Sequence, residues 1–192
     1  LTTACFFWVG SEAPNKGVRP SYWKEYYKQI SFGARIDTAI HWLSLPEEKR
    51  PHLITIYFEE PDATSHTFGP VSHQADSVVL VMDSLVGVLI HKLRQLPHYP
   101  FIDLIVLSDH GMGSISEDKV VFLSDHLQQG WIETYQGGNP NYNLSVADGC
   151  LDLAYDALQK VDHITTWKAR KVPCRLHYGK NPRCGDLVVV AD

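Results

Sequence analysis

The sequence predicts an α/β fold: a mixed, mostly parallel sheet flanked by helices, with a smaller α+β subdomain. Three observations carry this. Residues 53–58 and 102–107 are compact apolar, β-branched runs of strand length. Between them, residues 75–96 place Val78, Val79, Met82, Leu85, Val86, Leu89 and Leu93 on one helical stripe. A strand, helix, strand succession of this length makes the two strands parallel and the crossover right-handed.

The remaining elements follow in order. Residues 1–29 are rich in rings (Phe6, Phe7, Trp8, Tyr22, Trp23, Tyr26, Tyr27) and read as a strand followed by a long loop. Such ring density serves core packing or a stacking wall for a flat ligand. Ser31 suits a helix N-cap, Ile36, Ile40 and Leu43 recur at helical spacing, and Pro46 marks the stop. Residues 59–72 read as a polar loop. Beyond Gly113 the pattern is less regular. A helix is expected over 148–160, strands near 163–168 and 187–190, and a loop at Gln136-Gly-Gly-Asn-Pro140. The chain therefore divides into a core of about 1–112 and 163–192 and a smaller subdomain of about 113–162.

A hydrophobic share of 44% and a charged share of 20% over 192 residues are ordinary for a globular domain with its own core. The net charge of −5 argues against a broad basic nucleic-acid face, and no apolar run is long enough to span a membrane. Because the chain opens on Leu1 rather than Met, the absence of a signal peptide carries no weight, and a trimmed N-terminus is expected. Cys5, Cys150, Cys174 and Cys184 form no CxxC pair. Cys174 and Cys184 flank a turn-like stretch, Tyr178-Gly-Lys-Asn-Pro182. They either form a disulfide, which would place the protein in an oxidising compartment, or remain two of four free thiols.

The chemistry sits where the two predicted strands end. The first runs into Asp62 and His66, the second into Asp109 and His110. Parallel strands that end on one edge place their loops where open α/β sheets bind ligands. Aspartate oxygen and histidine nitrogen suit zinc, and also manganese or iron. The i,i+4 spacing of Asp62 and His66 lets one turn serve one ion. The adjacent Asp109 and His110 can share an ion only if the chain turns sharply, and Gly111 makes that easy. Singly, a Pro-Asp or an Asp-His is usually just a loop. His41, His52, His73, His91, His98 and His126 are read as lacking a paired carboxylate at ligand spacing, His163 and His177 are given no role, and the acceptor pattern Asn143-Leu-Ser145 is too common to weigh.

The motifs Phe6-Phe-Trp-Val-Gly-Ser-Glu12, Trp42-Leu-Ser-Leu-Pro46, Tyr57-Phe-Glu-Glu-Pro-Asp62, His66 with Gly69-Pro70, Leu107-Ser-Asp-His-Gly-Met112, Arg175-Leu-His-Tyr-Gly179 and Gly185-Asp-Leu-Val-Val-Val-Ala-Asp192 occur in that order. Together they resemble the nucleotide pyrophosphatase/phosphodiesterase family of the alkaline phosphatase superfamily. The resemblance implies an alkaline-phosphatase-like sheet and two zinc ions, Asp62 and His66 matching ligands of one and Asp109 and His110 ligands of the other. It also implies that Tyr26 and Tyr57 line the nucleotide pocket, bordered by Trp8 and Glu12. The implied reaction splits a phosphodiester or pyrophosphate bond through a threonine nucleophile.

By the same resemblance, that threonine and one zinc-binding aspartate fall upstream of Leu1, and a further zinc-binding histidine falls after Asp192. The chain is thus expected to be an internal part of a catalytic domain, inactive alone and prone to self-association through open sheet edges. Ser65 stands where the family usually has glycine, and Cys174 and Cys184 where it usually has other residues, which favours their pairing. A choline-phosphodiester or lysophospholipid substrate, or a non-catalytic metal- or ligand-binding module, are the competing expectations. An extracytoplasmic location, periplasmic or secreted, follows from family analogy.

Overall fold

The computed structural model describes residues 1–8 and 10–192. They form two units, Leu1–Ser114 and Ile115–Asp192.

In the first unit, β1 (Thr3–Phe6) lies between β2 (Tyr22–Lys24) and β3 (Leu53–Ile56), parallel to both. The crossover from β2 to β3 carries α1 (Phe32–Leu43). Ser31 caps it as expected: its backbone is extended, and its side chain accepts from the Ala34 N–H at 3.3 Å. The buried face of α1 is Arg35, Ile36, Ala39 and Trp42. Trp42 joins Ala4, Phe6 and Phe7 against the sheet. Ile36 packs with Leu89 and Leu93 of α3 (His73–Arg94). Capping by Ser72, Asp76 in the first turn and His91, Lys92 and Arg94 in the last complement the dipole of that helix. Its inward stripe is the expected one except for Val79, which faces solvent.

Three expectations are corrected here. Residues 59–72 are not all loop, because α2 (Asp62–Phe68) occupies their centre. Residues 102–107 form no strand: Ile102 packs against the α1–α3 cluster, while Leu104, Ile105, Val106 and Leu107 are exposed. Among the described residues no neighbouring strand supplies these with a ladder, and an extended run without a ladder is not a sheet member. The parallel crossover unit is therefore β2–α1–β3, which passes over β1 in the sheet.

The second unit is an antiparallel sheet in the order β4 (Ile132–Gly138), β5 (Asn141–Val146), β7 (Leu187–Ala191), β6 (Ile164–Lys168). One helix, α4 (Leu151–Leu158), packs Ala154 and Leu158 on Leu144, Leu187 and Val189. Residues 163–192, expected in the core with 1–112, belong here instead, because β7 fills the place between β5 and β6. The expected loop at 136–140 narrows to a turn at Asn139 and Pro140, since residues 136–138 pair with 141–143. All four cysteines are free, Cys184 buried and Cys174 exposed, so the disulfide expectation is not met. Gly179 has φ +88°, and a Cβ there would stand 1.9 Å from the Ala169 carbonyl oxygen, so this turn needs glycine.

Candidate metal centre

All of the metal-ligand candidates lie in the first unit. After β3 the chain enters α2, whose first residue is Asp62. Proline at its N-cap offers no side-chain acceptor, so Glu60 closes the turn by accepting from Thr64 N–H and Oγ1–H, both at 3.0 Å. The helix then presents Asp62 and His66 one turn apart, with Asp62 Oδ1 3.4 Å from His66 Nε2.

The second arm reaches the same oxygen. His110 Nε2 stands 3.9 Å from Asp62 Oδ1 and 3.7 Å from Asp109 Oδ2. His110 Nδ1 lies 2.9 Å from the Gly111 carbonyl, which can only accept; in the neutral ring the proton is therefore on Nδ1 and the Nε2 lone pair is the one left for a metal. Hydrogen bonding to Gly111 and the charges of Asp109 and Asp62 raise the His110 pKa above its usual range, against the pull of desolvation. Asp62 Oδ1 is shielded from solvent and has no hydrogen-bond partner. A carboxylate oxygen so placed, facing two imidazole nitrogens without a hydrogen bond to either, fits a bound cation. Two donors each about 2.1 Å from one tetrahedral ion stand about 3.4 Å apart, the separation found between Asp62 and His66. Among the described residues no three such side chains are close enough together to form a ready-made coordination shell.

The aromatic candidates border this cluster. Burial raises the Tyr57 hydroxyl pKa, and the charges of Asp109, Asp62, Tyr26 and Glu59 add to it, so Tyr57 remains a protonated donor at neutral pH. The Tyr26 ring lies edge-on to Phe7 at 5.1 Å, and its backbone N–H donates to Glu12 Oε1 at 3.2 Å. Tyr26 is thus tied to Glu12 and Phe7, and Tyr57 lies close enough to Asp109, Asp62 and Tyr26 to feel their charge. Trp8 is 43% exposed, and among the described residues no ring contact joins it to Tyr26 or Tyr57. Two residues absent from the expectations stand behind the site. Fully buried Arg35 forms a bidentate pair with Glu59, at 2.6 and 3.1 Å. Burial pushes the Glu59 carboxyl up, but the hydrogen bonds and charge of Arg35 outweigh it and hold the pKa below the usual range. The available sequence signal was a charged residue in the apolar face that Ile36, Ala39 and Trp42 share.

A parallel sheet flanked by helices, with two aspartates and two histidines close together after β3 and after residue 107, defines an α/β domain with a candidate metal site. The chain belongs to the type I phosphodiesterase / nucleotide pyrophosphatase family, which it matches over residues 1–192. It is 33% identical to a venom phosphodiesterase of Naja atra and 31% identical to human ectonucleotide pyrophosphatase/phosphodiesterase family member 1. Each match spans the whole chain and 24% and 22% of those proteins respectively. Murine ectonucleotide pyrophosphatase/phosphodiesterase 5 superposes with a TM-score of 0.86 at 31% identity, over all of this chain and 51% of its own. An inactive threonine-to-alanine variant of that murine protein, in complex with AMP, gives the same TM-score. The chain thus spans about a quarter of the curated relatives and half of the solved ones. The likeness to the murine structure establishes an alkaline-phosphatase-like mixed α/β fold.

Proposed function

We propose that the protein hydrolyses phosphodiester or pyrophosphate bonds in nucleotides, with two zinc ions and a threonine nucleophile contributed from outside residues 1–192. The observation that carries this reading is the unpartnered Asp62 Oδ1 facing His66 and His110 within a family of phosphodiesterases. Asp62, His66, Asp109 and His110 are the residues that would hold the metal. Bound zinc would lower the pKa of the attacking hydroxyl and neutralise charge at phosphorus.

The chain's own groups do the rest. The Gly111 carbonyl keeps the His110 proton on Nδ1. The Tyr57 phenol offers a hydrogen-bond donor beside the carboxylates, and the Tyr26 and Tyr57 rings offer faces for a base. Glu12 holds the Tyr26 backbone in place. The AMP bound to the murine relative and the names of the venom and ecto-enzymes support a nucleotide substrate and an extracytoplasmic location. Among the described residues no helix is long and apolar enough to cross a membrane.

The test is turnover of nitrophenyl thymidine monophosphate by the full-length protein with zinc, beside nitrophenyl phosphorylcholine. The nucleotide ester is expected to be the better substrate. Asp62→Ala and Asp109→Ala are each expected to lower zinc affinity by more than the roughly 100-fold that loss of a supporting group costs. Preference for the choline ester would move the substrate to lipid head groups, and turnover of neither would refute the reading.

A further inference from the structure

Three of the four hydrogen bonds that the structure gives the Arg35 side chain end on residues 57–59, the segment that leads from β3 into Asp62. Nε donates to Ile30 O at 3.1 Å, Nη1 to Tyr57 O at 2.9 Å and Glu59 Oε2 at 2.6 Å, and Nη2 to Glu59 Oε1 at 3.1 Å. The guanidinium also lies over the Phe7 and Phe32 rings, at 4.9 and 4.8 Å. Phe7 has φ 56°, a left-handed conformation that a bulky residue adopts only when its surroundings hold it there. It is held between Arg35 and the edge of Tyr26. One planar cation thus ties the end of β1, and through it Tyr26, to the end of β3, from which Tyr57, Glu59 and Asp62 follow within six residues.

A core that needed only filling would do as well with an apolar side chain, because burying an ion pair gains little stability. What the arginine fork adds is a fixed geometry across five donors. We propose that the Arg35–Glu59 pair is a positioning device that sets the pocket tyrosines and the Asp62–His66 turn in one mutual register, so that metal affinity and nucleotide affinity rise and fall together. The nucleotide half of this rests on the phosphodiesterase reading; the metal half does not.

The experiment uses the full-length protein with Glu59→Gln, which keeps the shape of the side chain, and Arg35→Lys, which keeps the charge but loses the fork. Ile36→Val serves as a control that loosens the same helix without touching the pair. Amide hydrogen exchange over residues 57–68 is expected to rise by an order of magnitude in both pair variants. Zinc affinity, read by competition with a chromogenic chelator, is expected to fall about tenfold, as loss of a group that orients ligands does. KM for the nucleotide ester should rise with it while kcat at saturating zinc holds, and the control should move none of these. Unchanged exchange, zinc affinity and KM in the folded pair variants, or equal changes in the control, would overturn the proposal. Raised exchange without a change in zinc affinity or KM would overturn it too, reducing the pair to packing. If Arg35→Lys fails to fold, Glu59→Gln decides. If the parent binds zinc but cleaves no nucleotide ester, the phosphodiesterase reading fails, and exchange and zinc affinity decide for the pair. If it binds no zinc either, the proposal falls, because neither affinity is there for the pair to set.

Discussion

Glu59 shows how one carboxylate can carry both stability and site geometry. Its pKa in the folded protein is held below the usual glutamate value, chiefly by hydrogen bonds from Arg35 working against burial. A depressed carboxylate contributes stability that is fully present above the unfolded value, near 4.3, and is lost as pH falls through the folded value. Urea unfolding between pH 3 and 7 should therefore show a loss of stability below about pH 4 that Glu59→Gln shares less steeply. At pH 7 the substitution should cost about 1.5–3 kcal/mol, the usual worth of a hydrogen bond to a charged group. An equally steep acid limb in the variant would show that other carboxylates dominate it. Asp62 and His66 were legible as candidates because they follow β3, and strand ends in α/β folds are where chemistry gathers; Asp109 and His110 were picked out on the same ground, although the run before them is no strand. Arg35 and Glu59 were not. A single arginine on a helix reads as a solvated charge, and its partner lies 24 positions away, at a distance that only the folded chain closes.

At the scale of elements, legibility followed length and capping. The start of the helix α1 is the predicted one, because the structure uses Ser31 as a cap, and the helix ends at Leu43, the last residue of the apolar spacing and short of Pro46. Ser31→Ala should cost about 1 kcal/mol in chemical unfolding, whereas Ser31→Asp should restore it through the same acceptor role. No difference between wild type and Ser31→Ala would mean that solvent satisfies the Ala34 N–H equally well. The seven-residue α2 escaped notice because its cap is not a neighbouring serine or aspartate but the Glu60 carboxylate reaching forward to Thr64. Strand partners were harder still. Period and composition say that a run is extended, but not which other run lies beside it. So 164–168 and 187–191 were assigned to the wrong sheet although their bounds were nearly right.

The largest departure concerns the edge of the first unit. Residues 102–107 were read as a buried parallel strand, and their composition is that of one. Yet Ile105, Val106 and Leu107 are between 67% and 78% exposed, and among the described residues their backbone joins no ladder. An apolar, β-branched, extended run with unpaired N–H and C=O groups is a template for pairing with another chain. Nothing in the run blunts it, since the single charge, Asp103, stands at its start and no proline interrupts it. This chain, purified as residues 1–192, should therefore self-associate as concentration rises, in a manner visible by sedimentation velocity. Ile105→Lys should suppress that association, because a charge on an open edge opposes both pairing and burial. Since Ile105 is solvent-exposed, the substitution should change unfolding stability by no more than about 0.5 kcal/mol. Association that persists in the lysine variant would locate the sticky surface elsewhere, the first alternative being the exposed Val79, Leu80, Val81 and Val88 face of α3. Loss of association without loss of stability would instead mark residues 102–107 as a strand in search of a neighbour, with the Asp109–His110 arm at its end free to shift until one arrives.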